Sequence, residues 1–406
     1  MDSFTAFFGQ DHDYFLERNC GFTSAEIAQQ PRLWTETAAL MAAKKQEIAS
    51  FLARVGDLRT VRVVFTGAGS SAFIGDALAP LVGKDLGLRA ESVPTTDLVA
   101  APGSYLFADV PTLLVSFARS GNSPESVGAV DYARKSIHEL YEIAITCDAT
   151  SKLYDCTMQS DRSLVLLMPA GANDNGFAMT SSVSCMLMAG YLLFAGDCDR
   201  AETETAVRAD IDLLARSVTS AAPHIAAVAR HCAEADFDRI AYLGSGFLRH
   251  IAHEASLKMM ELTCGAVNGS YESSTGFRHG PKSVIKDKTV TVHMISPDPF
   301  TARYDLDLLR EVYGQKKRNT VITLCGEDVG DLPGDVVLRV ASRDYQAAGA
   351  LCMGLEMLVF CQMLALFKSL ALGVPTDNPS PTGEVNRVVK GVTVYALDGN
   401  GTETQR

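Results

Sequence analysis

The feature that most limits how this chain can fold is a strand, glycine-turn, helix pattern that occurs twice in one register. Val61-Arg62-Val63-Val64-Phe65 runs into Thr66-Gly67-Ala68-Gly69-Ser70-Ser71, and residues 72–86 then read as a helix. Arg239-Ile240-Ala241-Tyr242-Leu243 runs into Gly244-Ser245-Gly246, with a helix expected over 249–262. Gly67 and Gly69 precede Gly244 and Gly246 by the same 177 residues (244 − 67). That shift also lays 112–117 on 289–294 and Ile145-Thr146 on Ile322-Thr323. One offset serving strands, turns and helices reads as an internal duplication.

Each copy alternates apolar runs with helical spacing. In the first, strands are expected at 61–65, 89–93, 113–116, 140–147 and 163–168, and helices at 72–86, 126–135 and 182–194. In the second, strands are expected at 239–243, 289–295 and 319–325. Alternation of this kind builds a doubly wound parallel sheet. Ahead of the first copy lies a helical arm. Thr23-Ser24-Ala25-Glu26 has the form of a capping box, so a helix is expected to begin there and stop before Pro31. Residues 33–55 read as a longer amphipathic helix with Leu40, Ile48, Leu52 and Val55 on its apolar side. Between the copies, 202–235 reads as a helical connector broken at Pro223. The expected division is an arm at 1–56, an α/β domain at 57–200, a connector at 201–237, a second α/β domain at 238–372 and a tail at 373–406.

A net charge of −12 argues against nucleic acid as partner, because a phosphate backbone needs a basic face. It leaves room for a small anion at a local positive site. The ten cysteines are scattered, with no C-x-x-C pair, and most lie in apolar runs, as small buried hydrophobes in a reducing compartment do. The start, Met1-Asp2-Ser3-Phe4, lacks the pattern of a signal peptide. The most apolar stretch, 347–372, carries Glu356, Gln362 and Lys368 and reads as a core helix, not a membrane span. A cytoplasmic protein with no membrane partner is expected.

Four places carry candidate chemistry. The segment Phe117-Ala118-Arg119-Ser120-Gly121-Asn122-Ser123-Pro124-Glu125-Ser126 turns from a buried strand into a helix. Gly121 allows close backbone approach, the helix N-terminus offers free N–H groups, Ser120 and Ser123 add hydroxyls and Arg119 adds charge. That suits a phosphate cradle, but an ordinary helix cap uses the same residues. In the second copy, Pro297 and Phe300 stand opposite Ser120 and Ser123, so the halves differ in function. On the helix at 249–262, Glu254, Lys258 and Glu261 share a face: either a solvated stripe or a carboxylate base poised by a cation. His279, in the polar loop 271–282, is placed either for proton transfer near neutral pH or as a loop cap. Lys390, among valines in the tail, is either a surface lysine or a desolvated amine able to attack a carbonyl. His250 and His253 share a helix face but match neither H-E-x-x-H nor H-x-x-E-H, so metal binding is disfavoured.

The Gly67-Ala68-Gly69-Ser70-Ser71 turn, the Ser120-Gly121-Asn122-Ser123 turn and the Arg278-His279-Gly280-Pro281 loop together resemble the sugar isomerase (SIS) family. Both halves are similar to SIS domains, which implies two tandem flavodoxin-like domains over nearly everything beyond residue 35. The layout is similar to the isomerase half of glucosamine-6-phosphate synthase. Glu26-Ile27-Ala28-Gln29-Gln30-Pro31-Arg32-Leu33-Trp34 and Thr275-Gly276-Phe277-Arg278-His279-Gly280-Pro281-Lys282 resemble the tagatose-6-phosphate ketose/aldose isomerase group, the galactosamine-6-phosphate deaminase/isomerases. The resemblance implies phosphate contacts from Ser70, Ser71, Ser120 and Ser123 with Arg119 beside them and Lys258 close to the substrate. It implies Glu261 as the base moving a proton between C1 and C2, His279 as the ring-opening residue and Lys390 as the tail lysine that engages the open-chain ketose. It implies a phosphosugar substrate, no metal, no organic cofactor and a homodimer.

The chain departs from the synthase in having Arg119 where that enzyme has glutamine, and Ala118 where it has serine. The loop from Glu261 to His279 is longer, and no glutaminase domain or Cys following Met1 is present. Deamination or plain isomerisation therefore fits better than amide-driven synthesis. A non-catalytic phosphosugar sensor and a metal-dependent hydrolase using His250 and His253 are the competing expectations. Galacto and gluco substrates are not distinguished by the sequence.

Overall fold

A computed structural model of the chain describes residues 3–195, 201–315, 319–341, 344–380, 382–383, 385–389 and 391–397. Two short helices, α1 (Ser3–Phe8) and α2 (His12–Leu16), lead into α3 (Gly21–Ala43) and α4 (Lys45–Val55). The first sheet follows, with β1 (Arg62–Thr66), β2 (Ala90–Ser92), β3 (Thr112–Ala118), β4 (Leu140–Thr146) and β5 (Ser163–Leu167). Its helices are α5 (Ser70–Leu86), α6 (Thr95–Ala100), α7 (Pro102–Tyr105), α8 (Pro124–Ser136), α9 (Lys152–Met158) and α10 (Ser181–Ala195). A long helix, α11 (Ala201–Ala233), precedes the second sheet: β6 (Arg239–Leu243), β7 (Asn268–Glu272), β8 (Thr289–Met294), β9 (Thr320–Gly326) and β10 (Val336–Val340). With it run α12 (Phe247–Leu262), α13 (Pro299–Gly314) and α14 (Gly349–Leu372).

The two sheets have the same topology. The first has the order β2-β1-β3-β4-β5 and the second, read the same way, β7-β6-β8-β9-β10. Every pairing is parallel. The glycine pair behind the 177-residue register repeats in conformation too: Gly69 has φ 57° and ψ −132°, Gly246 φ 57° and ψ −129°. A side chain is strained at such a φ, which is why glycine recurs at the strand-to-helix turn. All seven residues of β3 are buried, as both faces of a sheet covered by helices require. The chain thus folds as tandem α/β halves, each with its own apolar core: one around Val64, Leu114, Ala129 and Val130, the other around Ala241, Leu243, Leu308 and Val321.

The described residues form two compact units. One comprises those in 36–173, 181–201 and 383–406 and holds the first sheet. The other comprises those in 1–35, 174–180 and 202–382 and holds the second. Helix α14, long and apolar enough to cross a membrane by length and composition, has 94% of its most apolar window buried inside the protein.

Four helix features differ from expectation. Helix α3 runs through Pro31 and does not stop before it. The proline forfeits one backbone bond, but Ile27, Leu33 and Trp34 are wholly buried on either side, and that burial keeps the helix intact. Thr23 and Glu26 do not form a capping box. Thr23 sits inside the helix, where its N–H and Oγ1 donate to Asp377 at 2.9 and 2.8 Å. Glu26 Oε1 instead accepts from the N–H groups of Asn175 (2.5 Å) and Gly176 (2.9 Å), and burial together with Asp174 pushes its carboxyl up. The helix expected over 33–55 breaks at Lys44, where φ is −92° and ψ 4°. Pro223 does not break α11, whose buried stripe of Val207, Ile211, Leu214, Val218, Ala222 and Ile225 is continuous across it. The edge strands β7 and β10 have no counterpart among the strands read from sequence. Asn-Gly at the start of β7 reads locally as a turn.

Candidate active site

In an open parallel sheet, ligands bind beyond the carboxyl ends of the strands where the strand order reverses. In the first sheet that point lies between β1 and β3, whose ends pair as Thr66 with Ser116. The turns leaving these strands are the two that carry serines. Ser70 and Ser71 open α5 and are buried. Ser120 and Ser123 line the turn into α8 and are half-buried.

The second turn is fixed from several sides. Ser123 caps α8, its Oγ accepting from the Ser126 N–H at 3.4 Å and lying 2.7 Å from Ser126 Oγ. Ser120 Oγ accepts from the Asn122 N–H at 3.4 Å, and Asn122 Oδ1 accepts from the Lys152 N–H at 3.1 Å. Gly121, at φ 59°, is required by packing: a Cβ there would stand 2.4 Å from Ser151 Oγ. Its neighbour thirty residues on, and not only close approach to a ligand, excludes a side chain. Arg119 is buried and its Nη2 donates to the Arg387 carbonyl at 2.7 Å, so part of its guanidinium holds the chain beyond α14 rather than facing outward. Arg387 in turn donates to Asn173 Oδ1 at 3.2 Å. Further along, Val394 lies where a Cβ on Gly128 would come within 2.8 Å, and the Tyr132 hydroxyl donates to the Tyr395 carbonyl. The tail is therefore attached to this unit at 387 and at 394–395. Lys390 itself lies outside the described residues.

The second sheet has the same two turns, but Phe247 and Leu248 replace the paired serines at the start of α12, where both are buried. Between the turns sits the carboxylate of Asp305, from α13. Its Oδ1 accepts from Ser245 Oγ in the β6–α12 turn and from Ser274 Oγ, each at 2.5 Å. Its Oδ2 accepts from the Ser296 N–H beyond β8 at 3.0 Å. Burial pushes the Asp305 carboxyl up, and these three donors oppose the rise. The place that carries hydroxyls in the first half is occupied in the second by the protein's own acid.

Helix α12 brings Glu254, Lys258 and Glu261 together, as their spacing predicts. Lys258 Nζ lies 3.2 Å from Glu254 Oε1 and 2.5 Å from Glu261 Oε2. They are not a solvated stripe: side-chain exposure is 0% for Lys258, 3% for Glu254 and 24% for Glu261. Burial alone would push the Lys258 ammonium down. The charges of Glu254 and Glu261 outweigh it and leave the group above the ordinary lysine value. Glu261 is the member with an exposed edge, so this arrangement presents an ion-paired carboxylate to solvent or substrate.

His279 is exposed at the end of a 3-10 turn (Gly276–Arg278), its N–H bonded to the Gly276 carbonyl at 2.9 Å. Arg278 and Lys282 on either side both reach Glu311 on α13. Asp305 and Glu311 were not found from sequence, since their side-chain partners lie about 30 or more positions away with no local spacing to mark them. The ring of His253 stacks on Tyr271 at 3.8 Å between centroids. Among the described residues no cluster of histidine, cysteine and acid side chains has the arrangement of a metal site.

Comparison with known proteins agrees with this architecture. The SIS domain model matches residues 59–196. D-galactosamine-6-phosphate deaminase AgaS of Escherichia coli is 39% identical over 376 residues, 92% of this chain and 95% of that protein. The protein of the same name from Shewanella sp. (strain ANA-3) is 37% identical over 92% of both chains. The solved tagatose-6-phosphate ketose/aldose isomerase from Escherichia coli has a TM-score of 0.82 at 36% identity, covering 92% of this chain and 96% of that one. The chain belongs to the SIS-domain family, as one of its AgaS-like phosphosugar isomerase/deaminases.

Proposed function

We propose that this enzyme converts galactosamine 6-phosphate and water to tagatose 6-phosphate and ammonia. In this reading Ser70, Ser71, Ser120 and Ser123 of the first SIS domain grip the phosphate, with Arg119 steadying their turn. Remote binding of a dianion supplies energy and orientation at the reacting carbons. His279 opens the sugar ring. Glu261, in the second domain, takes the C2 proton and returns it at C1, a step in which general-base help is typically worth about 10²–10⁴-fold. The product of that transfer is an imine at C2. Water adds to it and ammonia leaves, giving the ketose. Lys258 balances the charge on Glu261, and Lys390 of the tail engages the open-chain ketose. The same reading places the enzyme in the cytoplasm as a homodimer.

The observation that carries the proposal is the pairing of Glu261 with a fully enclosed ammonium while its own edge stays exposed. A base for a carbon acid must be reachable, and the exposed edge of this carboxylate beside a buried cation supports that role. The names of the Escherichia coli and Shewanella relatives support the amino-sugar substrate. The name of the similar solved structure supports a second reading, aldose–ketose exchange on tagatose 6-phosphate with no nitrogen involved.

An ammonia-release assay separates the two. It compares galactosamine, glucosamine and N-acetylated 6-phosphates, with tagatose 6-phosphate as the non-amino control. Release from galactosamine 6-phosphate that vanishes in Glu261→Gln, with ligand binding retained, is the expected result. Undiminished turnover in that variant refutes the assignment of the base. Exchange of tagatose 6-phosphate without ammonia from any amino sugar replaces the deaminase reading with the isomerase one.

A further inference from the structure

Helix α13 carries three acids that the proposed chemistry leaves unused, and two of them, Asp305 and Glu311, reach the segment bearing His279. Asp305, 1% exposed, accepts from Ser274, five positions before His279. Glu311 accepts from Arg278 Nε at 2.7 Å, directly before His279, and from Lys282 Nζ, three positions after it. Lys282 also donates to Gln315 Oε1 at 2.7 Å, at the C-terminal cap of α13. The segment is thus fastened to one helix on both sides of the histidine. Between the end of β7 and the start of β8 it has only two short 3-10 turns, Gly276–Arg278 and Pro281–Val284. Backbone regularity does little to set its course, so side-chain attachment to α13 decides where the imidazole stands.

The two acids differ in kind. Asp305 is enclosed and joins three segments of the core. Glu311 is 30% exposed and meets only its two cations among the contacts described. It is the one whose removal changes the loop without opening the interior. We propose that Glu311 is a positioning residue for His279: by drawing Arg278 and Lys282 onto a single carboxylate it fixes the direction of the imidazole between them. This deepens the reading above and rests on His279 acting in ring opening.

The test has two readouts. The first is hydrogen exchange of the peptide spanning 273–285 in the full-length protein, whose amides at Gly276, Phe277 and His279 are hydrogen-bonded within the segment. Glu311→Gln is expected to speed that exchange while peptides from both sheets keep their wild-type rates. Unchanged exchange in the segment overturns the inference whatever the activity. The second is ammonia release from galactosamine 6-phosphate by wild type, Glu311→Gln, His279→Asn and the double variant. Misplacing a catalytic group by about 1 Å costs on the order of 10²-fold, so Glu311→Gln is expected to lower kcat about 10- to 100-fold with little change in KM. The double variant is expected to be no slower than His279→Asn alone, because nothing remains to be positioned. Multiplying losses overturn the inference, as does a wild-type kcat in Glu311→Gln. Should Glu311→Gln unfold, the paired change Arg278→Met and Lys282→Met removes the same attachment from the other side and is read by the same criteria. A His279→Asn variant with full activity refutes the ring-opening role instead, and the exchange rates still decide whether Glu311 holds the segment.

Discussion

The ammonium of Lys258 lies 2.5 Å from Glu261 Oε2 with none of its own surface exposed, and Glu254 closes its other side at 3.2 Å. Removing the cation leaves two acids facing each other in a largely enclosed place. Lys258→Met is therefore expected to destabilise the fold by about 3–5 kcal/mol at neutral pH. Denaturant melts of both proteins at neutral pH check this, and a loss below about 1 kcal/mol counts against a buried-pair role.

Ser120 and Ser123 share a turn but not a duty. In the proposed reading both offer a hydroxyl to an anion, yet only Ser123 also caps α8. A hydrogen bond to a charged group is worth about 1.5–3 kcal/mol, so each alanine variant should raise KM for galactosamine 6-phosphate by roughly 10- to 100-fold. Ser123→Ala should in addition lose about 1 kcal/mol of stability through the missing cap, and Ser120→Ala should not. Steady-state kinetics with thermal melts of the two variants read both effects.

Two enclosed groups tilt stability with pH in opposite directions. Burial in α14 pushes the Glu356 carboxyl up to about 8, while its Oε2 accepts from the Ala341 N–H at 3.2 Å. The folded chain keeps this proton after the unfolded chain has released it near pH 4.5. Its contribution is thus whole below that value and is lost as pH rises toward 8, with a slope of up to about 1.4 kcal/mol per pH unit. Burial pushes His293 the other way, to about 3, and its Nε2 has no hydrogen-bond partner among the described residues. The unfolded chain binds that proton below about pH 6.5 while the folded chain refuses it, so stability is lost as pH falls from there toward 3. Melting curves should show Glu356→Gln flattening the alkaline side alone and His293→Phe flattening the acid side alone.

Asp305 satisfies two hydroxyls and one backbone N–H, that of Ser274 buried and those of Ser245 and Ser296 partly so. Asp305→Ala leaves these donors without their acceptor and should cost about 2–4 kcal/mol, each buried donor contributing about 1–3. Asp305→Asn retains one acceptor oxygen and should cost less. Urea titrations of the two variants test the order, and a reversed order would show that the charge, not the hydrogen bonding, is what the site requires.

What could be read from the chain follows the range of each interaction. The turns at Gly67–Ser71 and Gly244–Gly246 announce themselves because a strand, a positive-φ glycine and a helix are adjacent in sequence. Glu254, Lys258 and Glu261 were legible because helical spacing alone puts them on one face. Pro31 and Pro223 were misread because local propensity was outweighed by the burial of apolar side chains on either side of each proline. Thr23 and Glu26 were misread for a related reason: Asp377, Asn175 and Gly176 offer better partners than each does to the other. Asp305 and Glu311 left no signature at all, since an acid on an amphipathic helix looks the same whether it faces water or a distant serine.

With the Asp305 carboxylate lodged across the second pair of turns, the proposed reading gives the later half no place for a charged guest. A protein built from two copies of one sheet should then saturate at one sugar phosphate per polypeptide, a stoichiometry that titration calorimetry reads directly. Gene doubling here has multiplied the framework without multiplying the receptor.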